Sequence, residues 1–238
     1  MNPESKFTFA LLSLLVVFAI NFSAAGHKYL ETGEGEGREN PFPVPDHRIS
    51  WAAYKKLTTG GQVDYYRFTA RKGEEIYASI LVPKIARLAE FQPVIGLIGP
   101  ELSQTQGSES RVRSEKLPLE LKEGEDVLIR EYEGGKAKSF FEPFTRTSYW
   151  KYQVIRKVTP ENGTYYLAVW NAEGKTGKYV LAIGEKESFG PADLLQFPSV
   201  WWKVRIFAER QISTYLIAGA VFTGLAAGSI LLCTALFC

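Results

Sequence analysis

What this chain lacks narrows its chemistry. Of its 238 residues only two are cysteines, Cys233 and Cys238, and both fall in the C-terminal apolar run. The polar part of the chain therefore carries no disulfide and no cysteine-ligated metal. There are two histidines, His27 and His47. Without thiols and with so few imidazoles, most hydrolase and transferase constellations have no base to use. No His-Glu-x-x-His, Gly-x-Ser-x-Gly or phosphate-cradling glycine loop occurs. No spacing singles out a pair of carboxylates for glycoside chemistry. An excess of one charge is missing too: residues 26–198 hold 24 Lys and Arg against 24 Asp and Glu. Such a balance gives no reason to propose nucleic acid as a partner. The sequence therefore reads as a non-enzyme with no catalytic residue, no cofactor and no metal. Asp64, Glu74, Glu75 and Asp126 could supply oxygen ligands to calcium, but they lack an ordered spacing. His27 could hold copper beside a mature N-terminus, although a solvated tail histidine is the plainer account.

What is present is a polar middle between two apolar ends. The N-terminus has the form of a secretory signal over residues 1–25: Lys6, an apolar stretch from Phe7 to Ile20, then Ser23-Ala24-Ala25 before Gly26. Residues 26–49 form a lead-in. Its Gly/Glu tract, Glu31 to Gly37, offers nothing apolar to bury and reads as a mobile tether. Asn40 to Pro45 places proline at every second position and favours an extended segment. An exported domain without disulfides must rest on its core, which suits a prokaryotic cell surface.

Residues 50–190 carry a strand pattern. Trp51 to Leu57, Val63 to Thr69, Ile76 to Val82, Pro93 to Ile98, Leu117 to Leu121, Val127 to Tyr132 and Lys151 to Val158 are candidate strands, punctuated by turn residues. Pro83 to Glu90 suits a helical turn, and Glu101 to Ser110 a polar loop. Asn162 to Trp170 and Lys178 to Gly184, separated by Asn171 to Gly177, predict an antiparallel hairpin. Tyr165, Leu167 and Val169 share one face, while Tyr166, Ala168 and Trp170 share the other. Both faces are apolar, so the pair should sit in a sheet covered on each side. Asn162-Gly163-Thr164 has the form of a glycosylation sequon, but it also reads as the tight turn entering that pair, which is the preferred reading. The class is all-β: a jelly-roll-like antiparallel β-sandwich with an N-terminal signal peptide and a single C-terminal transmembrane helix.

Val63 to Glu74, together with Gly163 to Val169 and Gly177 to Leu181, resembles the bacterial pre-peptidase C-terminal domain. The resemblance covers about residues 50–187, with its motif at the two ends and an insertion between Glu101 and Trp150. It implies a jelly-roll-like β-sandwich, non-catalytic as a rule, with a binding or spacer role. Some members bind polysaccharide or calcium.

Phe140 to Trp150 is the densest aromatic stretch of this region. Phe141, Glu142, Phe144, Arg146, Tyr149 and Trp150 form the candidate ligand site, with rings offering flat apolar area and Glu142 and Arg146 fixing hydroxyls. The competing account is that the aromatics plug an open end of the sandwich, with Glu142 and Arg146 paired beneath.

After Gly190 the period changes. Phe197, Val200, Trp201, Val204 and Phe207 recur every three or four residues, so 191–211 reads as an amphipathic juxtamembrane segment. Trp201, Trp202, Lys203, Arg205 and Arg210 are its candidate membrane-interface residues. Residues 212–237 carry no charge and would rise about 39 Å as a helix, more than a hydrocarbon core of about 30 Å. A cleaved signal places the sandwich outside, although basic residues on the outer flank run against the usual bias. Ala220, Gly224 and Gly228 lie four apart and form a candidate helix-association seam. The expected partners are the lipid bilayer, a polysaccharide or protein at the cell surface, and a second copy or a membrane complex through the helix. The localisation is single-pass membrane with the β-domain extracytoplasmic.

Overall fold

Alternating side chains resolve into two stacked sheets. The computed structural model describes residues 27–33, 37–102, 117–132, 134 and 137–237, with the backbone alone at 194 and 225–237. Its strands are β1 (Lys28–Tyr29), β2 (Phe42–Pro43), β3 (Trp51–Leu57), β4 (Asp64–Ala70), β5 (Glu75–Pro83), β6 (Val94–Pro100), β7 (Glu125–Arg130), β8 (Lys138–Glu142), β9 (Thr147–Val158), β10 (Gly163–Trp170) and β11 (Gly177–Ile183). One sheet runs β1-β3-β11-β5-β9-β8, and the other runs β2-β4-β10-β6-β7. Pairing is antiparallel except where the lead-in adds β1 to β3 and β2 to β4 in parallel. A 3₁₀ turn, Ala86–Leu88, falls inside the predicted helical turn. Two helices follow, α1 (Pro191–Phe207) and α2 (Gln211–Phe237). The predicted signal segment, residues 103–110 of the predicted polar loop and Glu34 to Glu36 of the Gly/Glu tract lie outside the described residues.

One expectation is corrected at the centre of the fold. The segments predicted to pair as a hairpin do not touch as strands. β10 lies between β4 and β6, while β11 lies between β3 and β5 in the opposite sheet. The reason is burial on both faces. Each strand needs two flanking neighbours and two covered faces, which a central position in each sheet supplies. The connection is built to cross between sheets. The Asn171 side-chain oxygen accepts from the amides of Glu173 and Lys175 at 3.1 and 2.8 Å, and Gly174 adopts φ 69°. Leu117 to Leu121 is corrected as well, since it forms no strand. Leu117 and Leu119 instead cover the outer face of the second sheet, against Val63, Tyr65, Ala168 and Trp170. Their apolar side chains are explained by that cover, which a strand pattern imitates.

Three apolar layers result. Between the sheets lie Tyr66, Phe68, Ile80, Leu97, Tyr165, Leu167, Tyr179 and Leu181 with their neighbours. Here the Tyr66 and Tyr179 hydroxyls meet at 2.8 Å, and Tyr179 donates onward to Asp64. Asp64 is fully buried and also accepts from Gln62 at 2.8 Å. Gly99 is required where Tyr165 crosses it: a Cβ there would stand 2.1 Å from the ring. The third layer, Ala52, Leu81, Tyr149, Val180 and Ala182, is the outer face of the first sheet, and Phe207 of α1 packs on it.

The lead-in is pinned rather than loose on either side of its Gly/Glu tract. Leu30 and Arg38 are buried. Arg38 pairs with Glu125 of β7 and lies 4.8 Å over the Tyr166 ring. His27 shares a 2.6 Å hydrogen bond with Ser50, and His47 is buried against Phe68.

Two tests follow from this packing. Gly99→Ala should cost about 1–3 kcal/mol in urea unfolding, because the Tyr165 ring has no room to yield. Burial holds His47 below the ordinary value of 6.5. A lowered folded value means that protonation favours the unfolded chain. The stability this residue contributes is therefore full above pH 6.5 and is lost as pH falls below it. Unfolding curves at pH 7.5 and 5.5 should show that loss, and His47→Phe should reduce the slope.

Candidate functional site

The β8–β9 hairpin decides the fate of the predicted aromatic site, because neighbours on a strand face opposite ways. Ser139 pairs with Trp150, and Phe140 with Tyr149. Tyr149 enters the outer layer under α1 and is buried; that burial raises its hydroxyl to about 12. Trp150 turns the other way, toward the inter-sheet core. The Glu142 carboxylate is occupied by its own turn. It accepts from the amides of Phe144 and Thr145 at 2.9 and 2.6 Å and from the Thr145 hydroxyl. Phe144 meets Phe197 of α1 with centroids 3.6 Å apart and the rings tilted by 42°. Arg146 sits exposed at the turn with φ 53°, and Phe141 is 54% exposed. Of the six predicted residues, Trp150 lines a cavity with residues from other segments.

That cavity has a volume of about 560 Å³ and lies at the rim where the two sheets part. The first sheet and its loops contribute Lys84, Lys138, Ser139, Trp150 and Tyr152, and the end of β7 contributes Tyr132. Tyr132 and Tyr152 meet edge to face at 4.8 Å. The remaining wall, around Ala89 and Gln92, is held from behind. Asn171 donates to the Gln92 carbonyl at 3.0 Å, and Gln153 donates to the Pro93 carbonyl. The Lys84 ammonium donates to the Ser139 hydroxyl at 2.8 Å. The Tyr132 hydroxyl is buried without a hydrogen-bond partner. Aromatic walls, hydroxyls and ammonium groups can hold a polar ligand with an apolar face. Tyr132, Lys84 and Gln92 were missed from sequence because they reach the cavity from three separate segments.

The calcium candidates are dispersed. Asp64 is in the core, Glu74 accepts from the Arg71 amide at 2.9 Å, and Glu75 pairs with Arg156. Among the described residues no three His, Cys, Asp or Glu side chains gather as a metal site. The Asn162 side chain accepts from the Lys72 amide at 2.8 Å and so anchors the turn.

The candidate interface residues split between two roles. Arg205 is buried and ties the helical corner to the sandwich. It donates to the Thr145 carbonyl at 2.6 Å, to the Ser213 hydroxyl at 2.6 Å and to the Thr214 hydroxyl at 2.8 Å, with the Trp201 ring 4.8 Å away. Burial, with Arg210 and Arg146 close by, lowers its pKa. Lys203 pairs with Glu31 at 2.9 Å. Trp202 is 38% exposed and meets Tyr215 at 5.4 Å. Arg210 is exposed. In α2, Ala220 and Gly224 are exposed, and the side-chain surroundings of Gly228 lie outside the described residues. Among the residues whose side chains are described, no helix is long and apolar enough to cross a membrane; for α2 those side chains end at Gly224.

Against known proteins, no family model matches the chain, and no curated protein does.

Glu142→Ala should destabilise the fold by about 1–3 kcal/mol, since two amides and a hydroxyl lose their acceptor. Tyr132→Phe removes an unsatisfied hydroxyl and should leave stability unchanged or raise it by about 1 kcal/mol. Paired chemical unfolding curves read both, and a loss at Tyr132 would mean that its hydroxyl is bonded.

Proposed function

We propose that this chain is a membrane-anchored, extracytoplasmic, non-catalytic β-sandwich that binds polysaccharide at the cell surface. The observation that carries the anchor is the surface of α2. Ile212, Leu216, Val221 and Phe222 are 79%, 69%, 55% and 72% exposed, which is costly in water and favourable in lipid. They open a charge-free run that continues to Phe237, and α2 is one helix from Gln211 to Phe237. A helix of that length would rise about 40 Å, enough for a hydrocarbon core of about 30 Å. The signal-like residues 1–25 support export, and the resemblance to pre-peptidase C-terminal domains supports a binding role without catalysis. The rim cavity supplies the ring faces that sugars stack on.

A second reading comes from another class. Ala220 and Gly224 leave α2 open to close approach, since a Cβ on Gly224 would meet nothing within 4 Å. An accessory subunit docking through that face would use the same seam.

Membranes from an expressing cell separate the possibilities. The full chain should stay with the membrane after alkaline carbonate washing, and protease added outside intact cells should remove the sandwich. Recovery in the carbonate supernatant would overturn the anchor, and protection from the protease would overturn the orientation. Crosslinking to a partner that Gly224→Leu abolishes would favour the subunit.

A further inference from the structure

We infer that the rim cavity selects acidic sugars, with Lys84 and Lys138 holding a carboxylate while the Trp150 ring takes the apolar face of the sugar. The inference rests on the polysaccharide reading and narrows it to a ligand class.

The charge of the lining carries it. Lys84, Ala89, Gln92, Tyr132, Ala137, Lys138, Ser139, Trp150 and Tyr152 line the cavity, so among the described residues its wall holds two cations and no anion. Neither lysine has a carboxylate partner among the described residues. Five lysines elsewhere are paired with carboxylates. Lys28 holds Asp193, Lys72 holds Glu161, Lys175 holds Glu173, Lys178 holds Glu209 and Lys203 holds Glu31. Lys84 and Lys138 differ from the other unpaired lysines in sharing one concavity, and two like charges gathered there leave an unbalanced field. Concave low-dielectric walls concentrate such a field on an entering anion. Lys84 spends one of its three donors on Ser139, which leaves two for a carboxylate.

The Tyr132 hydroxyl is the independent sign. It belongs to a lining residue and is buried without a partner; a small shift of the ring brings it to a ligand hydroxyl, and the bond then removes the cost of the unpaired group. The class follows from what must be matched together: a flat apolar face for Trp150, a hydroxyl for Tyr132 and an anion for the lysines. An inorganic anion would leave the ring unused. A neutral sugar would leave both exposed ammonium groups without a counter-charge. A uronic-acid residue satisfies all three.

The experiment uses the full chain in detergent micelles, titrated with uronic-acid oligosaccharides and with the same oligosaccharides after reduction of their carboxylates to hydroxymethyl groups. The acidic series should bind about tenfold tighter or more, as charge-assisted hydrogen bonds imply. The gap should narrow in the Lys84→Gln/Lys138→Gln double variant and in about 0.5 M salt. Trp150→Ala should weaken both series. Tyr132→Phe should weaken binding while its melting temperature holds, so that lost affinity is not mistaken for lost fold. Equal binding of both series would leave the polysaccharide reading standing and overturn the selection of acid. Binding of neither series, or binding indifferent to Trp150→Ala, would remove both.

Discussion

The structure depends on a carboxylate placed where no water reaches it. Asp64 sits at the start of β4 with no exposure, and an isolated buried carboxylate is too costly to survive unpaired. Its cost is met by the Tyr179 hydroxyl from the opposite sheet and by the Gln62 amide, while Tyr66 closes the chain through Tyr179. That chain joins β4 of one sheet to β11 of the other at one register. A slip of either strand by one residue would reverse every side chain and leave the carboxylate stranded. The apolar layer around it gives most of the stability, but aromatic and aliphatic contacts alone tolerate repacking. The polar chain admits one arrangement, and the rim where the sheets part inherits its position from it.

A second constraint fixes how the helices meet the sandwich. α1 lies across the outer face of the first sheet, where Phe207 meets Tyr54 edge to face at 5.3 Å. Lys178 donates to the Phe207 carbonyl and to Glu209, both at 2.8 Å. Arg205 then closes the corner between α1 and α2 against the Thr145 carbonyl. Among the described residues its charge meets oxygen acceptors but no carboxylate, and burial beside Arg210 and Arg146 lowers its pKa. A guanidinium is suited to the task because its planar fork reaches three acceptors at once. The direction in which α2 leaves the sandwich is thereby set by hydrogen bonds and not by a flexible linker.

Much of this was legible in the sequence, and the exceptions have a common cause. Trp51 to Leu57 is β3 as read, and the Val63 to Thr69 and Ile76 to Val82 runs fall within a residue or two of β4 and β5. The face assignments of β10 also hold: Tyr165, Leu167 and Val169 point between the sheets, while Ala168 and Trp170 point outward. Alternation reports which face a side chain takes, but it does not name the neighbouring strand. Hence β10 and β11 looked like a hairpin although they belong to different sheets. Leu117 and Leu119 misled for the same reason, since covering a sheet and belonging to one demand the same side chains. Arg38 gave no signal, because its partners Glu125 and Tyr166 are remote in sequence. At the aromatic stretch, composition drew attention to the right hairpin, but six residues were grouped that strand geometry divides.

That division is what lets one short hairpin serve two surfaces. On one side of β8 and β9, Phe140 and Tyr149 belong to the layer that Phe207 of α1 covers. On the other, Ser139 and Trp150 belong to the cavity. The turn between the strands is closed by Glu142 and gripped by Arg205, so the hairpin is fixed at its tip by the same corner that directs α2. Rigidity at the tip limits the freedom of the Trp150 ring, and a ring already in place loses less entropy when a ligand stacks on it. The helical end and the rim cavity are therefore coupled through a shared support while their contact surfaces stay separate. The proposed anchor and the proposed ligand surface would then make no competing claim on the same residues.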